Sequence, residues 1–181
     1  MRATALLVGL MLVPAGASAQ ANWPAMVVLV RHAERAPEPK DDPGLSDAGR
    51  ARALALAAAL EHAGVTAIIT TELRRTRDTA APIAQGQALT PETVRTIPGG
   101  VVAHAEDVAA AVRRHAGGVV LVVGHSNTIP AIIAALGGPR LPDICDASFA
   151  NLYVLTFPTR TANLVRSHYG VGDPPGGPGC Q

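Results

Sequence analysis

Two apolar, largely β-branched runs, Met26-Val27-Val28-Leu29-Val30 and Val119-Val120-Leu121-Val122-Val123, each end abruptly at a polar turn carrying a histidine. A strand with no polar alternation has to be covered on both faces. The first run passes into Arg31-His32-Ala33-Glu34, the second into Gly124-His125-Ser126-Asn127. Segments of helical patterning separate them. The sequence therefore predicts one α/β domain over residues 20–181. Its architecture is a three-layer α/β/α sandwich, with a mostly parallel central sheet and an antiparallel edge strand. In open sheets of this kind ligands sit beyond the carboxyl ends of the strands. His32 and His125 are thus expected on the same functional edge.

Between the runs, Pro37, Pro39, Asp41, Asp42, Pro43 and Gly44 forbid regular structure. Ser46 can cap a helix reaching about His62, with Gly64 just past its end. Leu54, Ala57, Ala58 and Glu61 lie at helical spacing, so that helix is expected to pack through small side chains. Val65 to Thr70 reads as a second strand. Thr70 or Thr71 can cap the next helix, from about Glu72 to Ala84, with Glu72 in its first turn. Val94 to Ile97 suggests a short strand. His104 to His115 suggests a helix, with Glu106 and Asp107 early in it, and Thr128 to Leu136 another. Asn151 to Phe157 and Thr161 to His168 read as strands, the latter at an edge. From about residue 170 the chain is Gly/Pro-rich and irregular, and no repeat or linker interrupts it.

Composition narrows the functional classes. In 181 residues, 48% are hydrophobic and 16% charged, enough for a sizeable core. The formal charge of +1 supplies no basic field for nucleic acid, and 3% aromatics supply no stacking platform for single strands. Met1-Arg2, the apolar run Leu6 to Val13 and Ala17-Ser18-Ala19 together read as a signal peptide of residues 1–19, cut before Gln20. The run is too short to span a bilayer, so no stable membrane insertion is expected after cleavage. A periplasmic or secreted location follows. Export also permits Cys145 and Cys180 to form a disulfide tying the tail to the domain.

The chemistry lies at the two strand ends. An arginine just past a central strand is costly to bury unless an anion satisfies it. The adjacent histidine can be a nucleophile, a base or a metal ligand. Leu73-Arg74-Arg75-Thr76-Arg77-Asp78 places three arginines at the start of a helix. Helical spacing does not select which of them turns inward, although it pairs Arg74 with Asp78. Two histidines and two arginines suit a phosphoryl group. Guanidinium forks match its equatorial oxygens, a neutral imidazole can attack phosphorus in line, and a protonated one can stabilise the developing charge. Spacings typical of zinc sites, a Walker loop and a Gly-x-Ser-x-Gly elbow are all missing from the sequence, so no metal or cofactor is expected.

The ordered motifs Arg31-His32-Ala33, Leu45-Ser46-Asp47-Ala48-Gly49-Arg50-Ala51-Arg52-Ala53, Thr71-Glu72-Leu73-Arg74-Arg75-Thr76-Arg77-Asp78-Thr79-Ala80 and Gly124-His125-Ser126 resemble those of the histidine phosphatase superfamily, also called phosphoglycerate-mutase-like. The resemblance runs from about Val27 to Phe157. It implies a compact exported member, with His32 as the nucleophile that becomes phosphohistidine. Arg31, Arg75 and His125 would complete the phosphate pocket, so the resemblance selects Arg75 over Arg74. Ser126 and Asn127 are further pocket candidates. Larger members carry an acidic residue between the arginine helix and the late histidine. Here that segment is short, and the candidates for a general acid are Glu34, Glu106 and Asp107, with Glu92, Asp41 and Asp42 also open. Lys40 lies in the variable loop and reads as a solvated lysine.

The implied activity is that of a metal-independent phosphomonoesterase, a histidine acid-type phosphatase acting on an extracytoplasmic phosphate compound. Its partners are a small phosphorylated molecule or inorganic phosphate. The alternative is a phosphate-binding envelope protein with little or no turnover. A phosphomutase is disfavoured, because the chain offers little extra structure to close the site against water.

Overall fold

The computed structural model describes residues 23–98, 100–158 and 162–174. The expected signal peptide, Cys180 and most of the Gly/Pro-rich tail lie outside the described residues. Among those described, the strands are β1 (Met26–Arg31), β2 (Val65–Thr70), β3 (Glu92–Thr93), β4 (Val119–Gly124), β5 (Asn151–Thr156) and β6 (Asn163–His168). The helices are α1 (Asp47–Ala59), α2 (Arg74–Gly86), α3 (Val101–Arg113) and α4 (Thr128–Ala135). They form one mixed sheet of order β3-β2-β4-β1-β5-β6. β1 lies parallel to β4, β4 to β2, and β2 to β3. β5 runs antiparallel to both β1 and β6, so it alone opposes the other strands, and β6 forms the exposed antiparallel edge.

The unbroken apolar character of β1 and β4 is explained by two cores. Val27 and Leu29, with Val120 and Val122, face one core, which α3 and α4 cover through Val108, Val112, Ile129, Ile132 and Ile133. Val28 and Val30, with Leu121 and Val123, face the other, which α1 and α2 cover through Leu56, Ala80 and Ile83. Alternate side chains of a strand point to opposite faces, so each strand feeds both layers. β1 pairs with β4 in register from Met26 with Val119 to Arg31 with Gly124. That register brings Arg31-His32 and Gly124-His125 out of the sheet side by side.

Several local expectations are corrected. α2 begins at Arg74 after Leu73, so Glu72 precedes the helix instead of lying in its first turn. Neither Thr70 nor Thr71 caps it. The carboxylate of Asp42, from the loop before α1, accepts the Arg74 N–H at 2.8 Å, and Thr71 is drawn away by partners in the site. α3 begins at Val101, so Glu106 and Asp107 fall in its second turn and project from its exposed face. The short strand is Glu92–Thr93, not Val94 to Ile97: the ladder pairs Glu92 with Ile69 and Thr93 with Thr70, and ends with the Val94 N–H on the Thr70 carbonyl at 2.9 Å. In α1 the buried positions are Gly49, Arg52, Ala53 and Leu56, whereas Leu54 is 63% exposed. The packed stripe is therefore displaced from the one expected, because Gly49 has to lie against the backbone of Glu34.

That contact fastens α1 to the end of β1. The Glu34 carbonyl accepts both the N–H of Ser46, at 2.9 Å, and its hydroxyl, at 3.2 Å. The Ser46 oxygen in turn accepts the Gly49 N–H at 3.1 Å, forming the N-cap of α1. A methyl group at Gly49 would fall inside the van der Waals envelope of the Glu34 carbonyl oxygen.

Candidate active site

His32 and His125 leave the carboxyl ends of neighbouring strands, and their ring centroids lie 5.4 Å apart with an interplanar angle of 63°. Both are nearly enclosed, 5% and 9% exposed. The His32 N–H of the backbone donates to the Gly124 carbonyl at 2.9 Å, which extends the strand pairing one residue into the site. The ring Nδ1 lies 2.8 Å from the carbonyl of Ala33. A carbonyl can only accept, so the proton sits on Nδ1 and the Nε2 lone pair is left as the nucleophilic atom. The Ala33 N–H donates to Thr79 Oγ1 at 2.9 Å, and the Thr79 hydroxyl donates to the Arg75 carbonyl at 2.7 Å. One threonine thereby links the backbone beside His32 to the helix turn bearing Arg75.

His125 is held by a hydroxyl chain. Its Nε2 lies 3.2 Å from Thr71 Oγ1, which lies 2.9 Å from Thr76 Oγ1. The Thr76 hydroxyl donates to the Leu73 carbonyl at 2.8 Å. Each hydroxyl has a single proton. The direction at Thr76 therefore makes Thr71 donate to Thr76 and His125 Nε2–H donate to Thr71. The His125 backbone N–H is satisfied by Thr128 Oγ1 at 2.9 Å.

Arg31 is oriented by the loop before β5. Its Nη1 donates to the carbonyls of Cys145, Asp146 and Ser148 at 2.8, 3.0 and 3.1 Å. The guanidinium carbon lies 4.2 Å from the centroid of the Phe149 ring, a cation–π contact, and the same ring tilts against His32 at 6.3 Å. Arg75 is half-buried, whereas Arg74 and Arg77 are exposed, and Arg74 pairs with Asp78 at 3.5 Å. Arg31 Nε, Arg75 Nε and His125 Nδ1 are buried and have no hydrogen-bond partner among the described residues.

Electrostatics tie these groups into one site. Burial pushes the His32 imidazole down to about 3, and the charges of His125, Arg75 and Arg31 push the same way against the Ala33 hydrogen bond. Burial, then Arg75 and His104, push His125 down to about 4. Burial also lowers both arginines, and the exposed Arg35 adds positive charge against each. At neutral pH both histidines are uncharged beside three guanidinium groups. That field suits a multiply charged tetrahedral anion, whose arrival would favour protonation of His125.

The candidate acids are placed elsewhere. Glu34 is half-buried, but its carboxylate is committed to Arg52 through contacts of 2.8, 2.9 and 3.0 Å. Glu92 pairs with Arg114 and His115. Glu106 lines a shallow cleft shared with Asn127 and Arg140, and Asp107 is exposed. Asp41 and Lys40 are exposed, and Asp42 caps α2. Ser126 contributes its carbonyl to the Ile144 N–H, while Asn127 opens α4 without a side-chain cap. Glu72 is the carboxylate whose charge reaches both His125 and Arg75. Burial would raise it, but hydrogen bonds from Thr96 N–H at 2.9 Å and Thr96 Oγ1 at 2.6 Å hold it below the usual range, so it is ionised at neutral pH. The end of Cys145's expected disulfide at Cys180 lies outside the described residues. Among the described residues, no cluster of three or more His, Cys, Asp or Glu could hold a metal ion, and no helix is long and apolar enough to cross a membrane.

Sequence reasoning missed Thr71, Thr76, Thr79, Arg35, Glu72 and Phe149 as parts of this site. The threonines lay inside the arginine motif and carried a signal. Phe149 carried none, because its contact with Arg31 depends on how the loop before β5 folds back.

Residues 27–97 match the model of the histidine phosphatase superfamily, branch 1. No curated protein matches the sequence. Among solved structures, mycobacterial glucosyl-3-phosphoglycerate phosphatase is similar, with a TM-score of 0.60 at 18% identity over 80% of this chain and 98% of that one. Bacillus stearothermophilus YhfR gives 0.60 at 19% identity over 77% and 94%. SixA from Agrobacterium tumefaciens gives 0.57 at 25% identity over 79% and 98%. The family model thus covers the segment from β1 through β3, which carries Arg31, His32 and Arg75, and the similar solved structures share the α/β fold in which both histidines lie on one sheet edge.

Proposed function

We propose that the protein is a metal-independent phosphomonoesterase that works through a phosphohistidine on His32. The observation that carries this reading is the 5.4 Å approach of two buried, neutral imidazoles within the field of Arg31 and Arg75. In the proposed reaction His32 Nε2 attacks phosphorus as the ester P–O bond breaks and the leaving group departs with the electron pair to take a proton from solvent, while Nδ1–H stays on the Ala33 carbonyl. The guanidinium groups and His125 bear the charge on the equatorial oxygens. Water then attacks the phosphohistidine, releasing phosphate and restoring the neutral ring. The mycobacterial phosphatase of similar fold has been solved with inorganic phosphate and with VO3, ligands of the shape this site would take.

No candidate acid stands ready to protonate a leaving group: Glu34 is paired, Glu72 is ionised, and Glu106 and Asp107 project from α3. The rate should therefore rise as the leaving group becomes more acidic, and aryl phosphates should be turned over far faster than alkyl phosphates. The same feature favours the second reading, a phosphate-binding protein with little turnover. We also propose export after cleavage before Gln20, a substrate outside the cytoplasm, and pairing of Cys145 with Cys180.

A panel of aryl and alkyl phosphomonoesters, assayed with a chelator present, tests the activity. The expected result is chelator-insensitive turnover, steeply dependent on the leaving group and abolished in His32→Ala. Phosphate binding with no hydrolysis of any ester would favour the binding protein. A chelator-sensitive rate would overturn the mechanism.

A further inference from the structure

We propose that Asp173, outside the site, is a positioning residue for Arg31, acting through the loop that runs from Cys145 into β5; the proposal rests on the reading of Arg31 as a phosphate ligand. The hydrogen bonds and the ring contact of the Arg31 guanidinium all come from one loop. Its Nη1 meets the carbonyls of Cys145, Asp146 and Ser148, and its face lies on Phe149. These contacts hold the guanidinium only as firmly as the loop itself is held. The loop has no helix or strand of its own between α4 and β5.

What holds it is the chain after β6. Asp173 Oδ1 accepts the N–H of Phe149 at 2.7 Å and that of Ala150 at 3.0 Å, and Oδ2 lies 3.1 Å from the same Ala150 nitrogen. From the other side the Ala150 carbonyl accepts the Tyr169 N–H at 3.0 Å. Phe149 and Ala150 are thus clamped where the loop meets the sheet, one residue from the last carbonyl on Arg31. The clamp is itself anchored. Arg52 donates to the carbonyls of Tyr169 and Val171 at 3.2 and 3.0 Å while holding the Glu34 carboxylate. A carboxylate accepting backbone N–H groups is a strong, directional partner. An alanine in its place leaves the N–H of fully buried Ala150 without an acceptor, and the loop has to shift to find one. Phe149 and the three carbonyls would move with it, and Arg31 with them.

A double-mutant cycle separates this role from a latch that merely stabilises the fold. The variants are Asp173→Ala, Arg31→Ala and the pair, read by kcat/KM on an aryl phosphate and by the affinity for inorganic phosphate. Asp173→Ala should weaken both by about ten- to a hundred-fold in the parent protein, since small misplacements of a binding group are costly. In the Arg31→Ala background it should change them by less than about three-fold, because there is no guanidinium left to misplace. Asp173→Asn, which keeps one acceptor oxygen for the Phe149 N–H, should recover much of the loss, and Asp173→Glu, whose longer side chain displaces the carboxylate from both N–H groups, supplies the same cycle should the alanine variant fail to fold. Equal losses in both backgrounds, or parent-like phosphate affinity in folded Asp173→Ala, would overturn the proposal. A parent protein that binds phosphate but hydrolyses nothing, with weaker binding in Asp173→Ala, would remove the phosphatase reading and leave this one standing.

Discussion

At the scale of single residues, the arginine helix separates two neighbours of the same chemistry. Arg75 is half-buried and its charge is felt by His32, His125 and Arg31, whereas Arg74 is exposed and paired with Asp78. Arg75→Ala should lower kcat/KM by roughly a hundred-fold, the scale on which removing one charge-stabilising donor acts. Arg74→Ala should change it by less than about three-fold, because an exposed ion pair contributes little. Steady-state kinetics of the two variants decide it, and equal losses would mean that the wrong arginine has been assigned. Helical spacing left this choice open, and only the motif's register made it. The histidines were legible from strand ends alone. The hydroxyl chain Thr71–Thr76 was not, because the path from His125 crosses between elements 54 residues apart in sequence.

Among elements, the join between β1 and α1 carries the site. The chain leaves β1 through His32, and two residues later the Glu34 carbonyl receives Ser46 and lies against Gly49. Gly49→Ala should destabilise the fold by about 3 kcal/mol, since a clash with a backbone oxygen cannot be relieved by a rotamer change. Urea unfolding monitored by circular dichroism measures this, and a midpoint equal to the parent's would show that α1 can shift freely. The Ser46 cap and the approximate course of α1 were readable in the sequence. The buried stripe of the helix was not, because its apolar residues are mostly alanines and give little periodic contrast. The start of α2 was misplaced for a related reason. Its cap comes from Asp42, 32 residues away, and local sequence cannot reveal a remote cap. The mostly parallel sheet followed from the βα alternation, but the order of its strands and the reversed direction of β5 rest on pairings that no local pattern encodes.

For the molecule as a whole, burying two histidines beside arginines links folding to pH. His32 and His125 titrate near 6.5 when exposed and at about 3 and about 4 in the folded chain. The unfolded chain therefore binds more protons once the pH falls below about 6.5. Stability contributed by the neutral rings should be complete above that point and be lost progressively as the pH falls from about 6.5 through about 4 for His125 and about 3 for His32. Thermal midpoints recorded from pH 8 to pH 4.5 should be level at first and then decline, and His32→Gln/His125→Gln should decline less. An unchanged midpoint between pH 7 and pH 5 would mean that the rings are solvated. Inorganic phosphate should oppose the decline, because a bound anion favours the protonated His125 that acid otherwise forces on the site. During turnover the His32 ring should carry the phosphoryl group. Rapid quenching after mixing with an aryl phosphate, followed by peptide mass spectrometry under alkaline conditions, reads it directly. One acid-labile phosphoryl group on His32 is expected, appearing together with a burst of leaving group. Steady turnover with the His32 peptide unmodified at every time point would contradict it.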